Sequence, residues 1–270
     1  MQNVTIADGI VIRPLGSHAE REEAVRLEEE TWGAGFSEKV PAAILLVAER
    51  IGGVAAAAFA RDGRMLGFVF GLTGTRGGTL IHWSDILAVR LDAQGRGIGR
   101  ALKQYQRERC RNTGVERMLW TFDPFVARNA HLNLNILGAR IATFERDMYG
   151  TSTNSPVHGS LGTDRFIAEW DLRGEARPMP SDPLLLTGVP VAGGSPGDGP
   201  DASTPLPSGP SVVVRIPHDY STVLAGDISH ARAWRASARR AFEHYLAQGY
   251  CVSAFVPGNG ADAAYLLSST

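Results

Sequence analysis

Glycine recurs at every second position in Gly95-Arg96-Gly97-Ile98-Gly99, directly after Gln94, and Arg96 and Arg100 stand around it. The chemistry such a turn can do is anion binding. Glycines let several backbone N–H groups converge on one point, and a helix starting there adds the positive end of its dipole, so phosphate is a natural guest. An apolar β-type run, Ile86-Leu87-Ala88-Val89, leads in, and Ile98, Leu102 and Tyr105 follow at helical spacing. The turn is not a P-loop, because Gly99-Arg100-Ala101 stands where Gly-Lys-Ser/Thr is required. Nor is it a dinucleotide turn: counted from Gly95 or Gly97, the sixth position is Arg100 or Leu102.

Further along, Asn129 and Asn133 are one helical turn apart and face the same way. Asp123-Pro124 reads as an N-cap followed by proline at the first helical position. Cys110 and Cys251 have no ligand spacing, so free thiols and no metal site are expected. A net charge of −1, with no basic stripe interleaved with aromatics, argues against nucleic-acid binding. The apolar stretch Ile51–Ala60 is about half of what a membrane span needs. The N-terminus has neither the basic nor the apolar region of an export signal, so a cytoplasmic protein is expected.

The elements that must position these residues follow from periodicity. Gly9–Leu15 reads as a strand and Ser17–Trp32 as a helix, with Ser17 and Glu20 spaced as a capping box. A helix over Ser37–Arg50 has Pro41 in its first turn, and Val54–Ala60 and Met65–Leu72 form a hairpin turned by Asp62-Gly63. Strand Leu80–Leu91 enters the glycine turn and helix Gly97–Thr113 leaves it. Strand Glu116–Phe122, helix Pro124–Leu137 and strands Ala139–Met148 and Arg165–Leu172 complete a first domain, residues 1–173. Residues 174–210 hold nine of the 15 prolines and read as a linker or mobile loop. A small αβ module spans 211–270. Its helix, Ile228–Gln248, carries Ala231, Trp234, Ala238, Ala241, Phe242 and Tyr245 as a core stripe and Arg232, Arg235, Arg239 and Arg240 on a solvated face. About sixty residues are marginal for an independent core, so this module is expected to dock on the first domain or on the partner subunit of a homodimer.

Gln94, Gly97 and Gly99 match the Q/R-x-x-G-x-G/A signature of the GNAT superfamily of N-acyltransferases, and the element order is that of its fold. Leu119-Trp120-Thr121-Phe122-Asp123-Pro124, Arg128–Asn133, Leu137-Gly138-Ala139, Tyr149-Gly150 and Asp164-Arg165-Phe166 with Trp170 resemble a bacterial subgroup with an extra C-terminal module. The resemblance implies an α/β (α+β) fold with a mixed, mostly antiparallel central sheet flanked by helices. It also implies direct acyl transfer from acetyl-CoA, succinyl-CoA or another acyl-CoA to a small-molecule amine, with amino acids as suggested acceptors. In that reading the amides of Gly95, Arg96, Gly97, Ile98, Gly99 and Arg100, with Gln94, hold the pyrophosphate. Main-chain groups of Leu87 and Val89 hold the pantetheine arm by strand addition, helped by Asn129 and Asn133. Asp85, on the strand leading to the turn, is the candidate base. His82 lies on the opposite face of a regular strand, so a shared role needs a bulge. The family's usual thiolate-protonating tyrosine is replaced by Leu134, which leaves Tyr149 or water as the acid. Trp83 and Arg165 are candidate acceptor contacts, Arg165 either gripping a carboxylate or pairing with Asp164. Two other readings are a non-catalytic acyl-CoA sensor and a protein or peptide N-acetyltransferase.

Overall fold

A computed structural model describes residues 3–151, 161–175, 177–193, 205–258 and 262–269. They divide into two compact units. The first comprises 3–120 and 170–175, and the second comprises 121–151, 161–169 and the described residues from 177 onward.

The first unit opens with β1 (Val4–Thr5) and β2 (Val11–Pro14), followed by α1 (His18–Trp32) and α2 (Ala42–Arg50). Strands β3 (Val54–Phe59), β4 (Met65–Arg76) and β5 (Thr79–Val89) lead to α3 (Ile98–Arg111) and β6 (Arg117–Phe122). The strands neighbour one another in sequence order, antiparallel from β1 to β5, with β5 and β6 parallel. Ser17 caps α1 by accepting from the Glu20 N–H at 3.2 Å, but the Glu20 carboxylate reaches the Gly16 N–H at 2.7 Å and Arg13 rather than closing a simple box. Helix α2 starts five residues later than expected: Pro41 is its N-cap, extended at φ −61° and ψ 145°. Strands β4 and β5 run longer than their apolar cores because Gly77 and Gly78, both left-handed (φ 59° and 79°), close a tight hairpin between Arg76 and Thr79.

Alternation assigns the faces. Ala55, Ala57, Phe59, Met65, Phe68, Phe70, Ile86 and Ala88 pack with Leu27, Leu45 and Ala48 of α1 and α2. Burying each of the phenylalanines contributes about 1.5–3 kcal/mol. The opposite face carries α3, whose buried residues are Ile98, Leu102, Lys103, Tyr105, Gln106 and Cys110. No helix among the described residues is long and apolar enough to cross a membrane.

The second unit begins with α4 (Ala127–Ala130), which widens at once into a π-turn over His131–Ile136, where the Leu137 N–H bonds the Leu132 carbonyl at 2.9 Å. Strand β7 (Arg140–Glu145) pairs antiparallel with β8 (Arg165–Asp171). The second sheet holds β9 (Val191–Gly193), β10 (Ser211–Ile216), β11 (Tyr250–Val256) and β12 (Ala263–Ser269) in the order β11-β12-β10-β9. Between β10 and β11 come α5 (Tyr220–Gly226) and α6 (Ile228–Ala247). Part of the proline-rich stretch therefore contributes structure: β9 pairs in parallel with β10, and Leu186, Val189 and Val191 pack on Val213 and Leu266.

On α6 the core stripe is buried as expected, but two of its arginines are not solvated. Arg235 Nη2 donates to Asp123 Oδ2 at 2.8 Å, and Arg239 donates to Asp164 at 2.6 and 2.8 Å and to Asp147 at 3.0 Å. The acids that recruit them are far away in sequence, so helical spacing alone could not show the pairing.

Candidate active site

The strand leading to the turn is irregular where the chemistry was expected. Ser84 pairs with Gly71 and Ile86 with Phe70, so Asp85 is an extra residue, a β-bulge. The bulge resets the alternation. His82 and Ser84 bond to α3, whereas Ile86 and Ala88 lie in the α1/α2 core. The parallel pairing of β6 covers only Ile81, His82 and Trp83 among the described residues. From Ser84 to Val89, β5 is therefore released from β6, leaving a strand edge that can take an extended ligand.

Asp85 is solvent-accessible, yet enough protein surrounds its carboxyl for desolvation to raise its pKa; a bond from Trp83 opposes that shift, and the charge of Glu38 reinforces it. Glu28 of α1 was not singled out by sequence. It is wholly buried, Oε2 accepts the Val40 N–H at 2.9 Å, and Oε1 has no hydrogen-bond partner among the described residues. Burial, reinforced by the nearby Asp85 charge, pushes its pKa up to about 8. A glutamate next to Leu27 on the buried face of an amphipathic helix was the available signal.

His82 is not a second base. Its ring is sealed between Thr73 Oγ1 (2.9 Å from Nδ1) and Gln106 Nε2 (3.0 Å from Nε2), and burial takes its pKa down to about 3. The donors run one way. Lys103 Nζ donates to Ser84 Oγ at 2.7 Å, Ser84 to Gln106 Oε1 at 2.8 Å, Gln106 to His82, His82 to Thr73, and Thr73 to the Gly52 carbonyl at 2.8 Å. Lys103 is buried over the Trp120 ring at 4.0 Å, and desolvation lowers its pKa to about 7. Gly71 makes room for this chain, since a Cβ there would lie 2.5 Å from the Trp83 carbonyl oxygen and overlap the His82 imidazole.

The turn itself is open. Gly95 and Gly97 are left-handed at φ 77° and 76°, with nothing within 4 Å of where a Cβ would sit. Gly97 is the N-cap of α3 and has no side chain to satisfy the helix. The N–H groups of Gly95 through Arg100 donate to no protein acceptor among the described residues. Ile98 is buried and anchors the first turn. Gln94 is exposed, and its Nε2 donates to the Val89 carbonyl at 3.1 Å, which fastens the turn to the strand end. Arg96 pairs with Asp8 at 2.8 Å, while Arg100 is exposed with no ion pair among the described residues. Unsatisfied amides at a dipole's positive end fit a pyrophosphate.

In the second unit, Asn129 is half-buried and Asn133 buried, and neither side-chain amide has a hydrogen bond among the described residues. Tyr149 is half-buried, its hydroxyl 3.2 Å from Thr121 Oγ1 and its ring 5.5 Å from the Arg165 guanidinium. Arg165 is buried, donates to the Asp164 carbonyl at 2.9 Å and lies 3.8 Å from Asp123 Oδ2. Asp123 closes a turn by accepting the Phe125 N–H at 2.9 Å, and the helix it was expected to cap starts only at Ala127. Leu134 is fully buried.

Residues 21–133 match the model of the acetyltransferase (GNAT) family. These residues form a GNAT acetyltransferase domain. The matching family is one of acetyltransferases. No curated protein matches the chain. Solved structures similar to it include Arabidopsis thaliana NAA60 in complex with a bisubstrate analogue (16% identity, 62% of this chain and 99% of that one, TM-score 0.49). Another is yncA of Salmonella typhimurium with its cofactor acetyl-CoA (17%, 63% and 97%, TM-score 0.48). A third is the ribosomal-protein-S18-alanine N-acetyltransferase of Escherichia coli (19%, 62% and 96%, TM-score 0.47).

Proposed function

We propose that this GNAT domain acylates a small-molecule amine, an amino acid being the suggested acceptor, with acetyl-CoA or succinyl-CoA as donor. The observation that carries the reading is the junction at the end of β5: six amides from Gly95 to Arg100 without an acceptor among the described residues, immediately after a strand edge that β6 has left. The amides hold the pyrophosphate, and Arg100 adds charge. Leu87 and Val89 offer main-chain groups to the pantetheine arm, and Asn129 and Asn133 offer side-chain amides that lack protein partners among the described residues. The thioester supplies the activated acyl carbon. Asp85 takes the proton of the attacking ammonium, and its raised pKa brings it closer to a useful base than an ordinary aspartate. Trp83, which opposes the rise in the Asp85 pKa, is the proposed acceptor contact beside it. Tyr149 is the proposed proton donor to the departing thiolate. Arg165 is the proposed contact for an acceptor carboxylate, which replaces its contacts with Asp164 and Asp123.

The test is thiol release by the full chain with acetyl-CoA and succinyl-CoA against L- and D-amino acids, simple amines and peptides. Release dependent on amino acids or simple amines supports the proposal. Release with peptides alone assigns a peptide acceptor. Coenzyme A binding without turnover assigns a sensor.

A further inference from the structure

A groove of about 710 Å³ runs along α3 on the side facing β1. Its volume falls in the range of small-molecule sites. Val4, Ile6 and Ala101 give it apolar walls, and Tyr105 and Arg109 also line it. Tyr105 is only 6% exposed, and its hydroxyl is buried without a hydrogen-bond partner among the described residues. Buried hydroxyls are normally satisfied, so this orphan needs an explanation. Tyr105 also lines an adjoining crevice of about 50 Å³ together with Glu49 and Arg109. Desolvation raises the Tyr105 pKa, which keeps the hydroxyl protonated and able to donate. Arg109 is half-buried, with no hydrogen bond or ion pair among the described residues. The neighbouring acids are already engaged, Glu49 with Arg21 at 3.2 Å and Glu108 with Arg111 at 3.5 Å.

We infer that this groove, which adjoins the acyl-CoA turn, is a second ligand site for a carboxylate with an apolar body. The Tyr105 hydroxyl and the Arg109 guanidinium hold the carboxylate. Val4, Ile6 and Ala101 cover the apolar body, along about 12 Å of helix between Ala101 and Arg109. Arg100 and Gly97, which belong to the turn, close the near end with the face they turn away from its amides.

Octanoate is the probe, titrated calorimetrically into the full chain, with octanol as the uncharged control. Octanoate is expected to bind, and Arg109→Ala and Tyr105→Phe each to weaken it about tenfold. Octanol should bind equally to wild type and Arg109→Ala. Tyr105→Phe removes only an unpartnered hydroxyl, so its melting temperature should not fall, which separates lost binding from lost folding. Saturating coenzyme A should leave octanoate binding unchanged, and a chain that binds octanoate but not coenzyme A would sink the acyl-CoA reading alone. Absent octanoate binding, equal binding by both variants, or displacement by coenzyme A would overturn the second site.

Discussion

Replacing Glu28 with glutamine should change how stability depends on pH. The wild-type carboxyl is wholly buried beside Asp85, and its pKa rises from 4.5 to about 8. The native state thus keeps a proton that the unfolded chain has released at any pH between those values. Stability contributed by this group is fully present below pH 4.5 and lost as pH rises through about 8. The slope is about 1.4 kcal/mol per pH unit, so roughly 3 kcal/mol is lost between about pH 5.5 and about pH 8.5. Glutamine cannot titrate, and its carbonyl can still accept the Val40 N–H. The unfolding free energy of Glu28→Gln minus that of wild type should therefore grow by about 3 kcal/mol over that interval. Urea unfolding followed by tryptophan fluorescence at several pH values measures this difference directly. In an Asp85→Asn background the same transition should move to lower pH, because a charge that raises Glu28 is gone. A constant difference between wild type and Glu28→Gln would refute the reasoning.

Asp85→Asn should lower kcat/KM about 100-fold or more and abolish the rise in rate with pH expected of the wild type above the ordinary aspartate range; a pH–rate profile decides this. Lys103→Met should gain stability over wild type, and more at pH 6 than at pH 10. Its folded pKa lies near 7 instead of 10.5, so below about 7 the native state must bury a charge; melts at the two pH values test it. Gly97→Ala forces a side chain to φ 76° and should cost about 1–2 kcal/mol in denaturant titrations. Gly71→Ala should destabilise far more, because the added Cβ collides with the Trp83 carbonyl and His82; thermal melting compares the two.

Most of the first unit was legible because its signals are local. The glycine turn, the Ser17 cap, the hairpin at Asp62-Gly63 and the apolar period of α3 each act within a few residues. The bulge at Asp85 was not legible, since it depends on which residue of β4 lies opposite. The buried chain from Lys103 to Gly52 was hidden for the same reason, its members being scattered over three elements and a loop. In the second unit, the arginines of α6 looked like a solvated face until Asp123, Asp147 and Asp164 were placed beside them. Helix Pro124–Leu137 shortened and widened because Asp123 spends its carboxylate on Phe125 and Arg235 rather than on a helix cap.

The central claim is that the free amides of the β5–α3 turn receive the pyrophosphate of an acyl-CoA. Titrating coenzyme A into ¹⁵N-labelled protein tests it most directly. The amide resonances of Gly95, Gly97 and Gly99 should shift strongly and saturate together, with smaller changes at Leu87 and Val89. Saturable binding of coenzyme A that leaves those glycine amides unmoved would contradict the account.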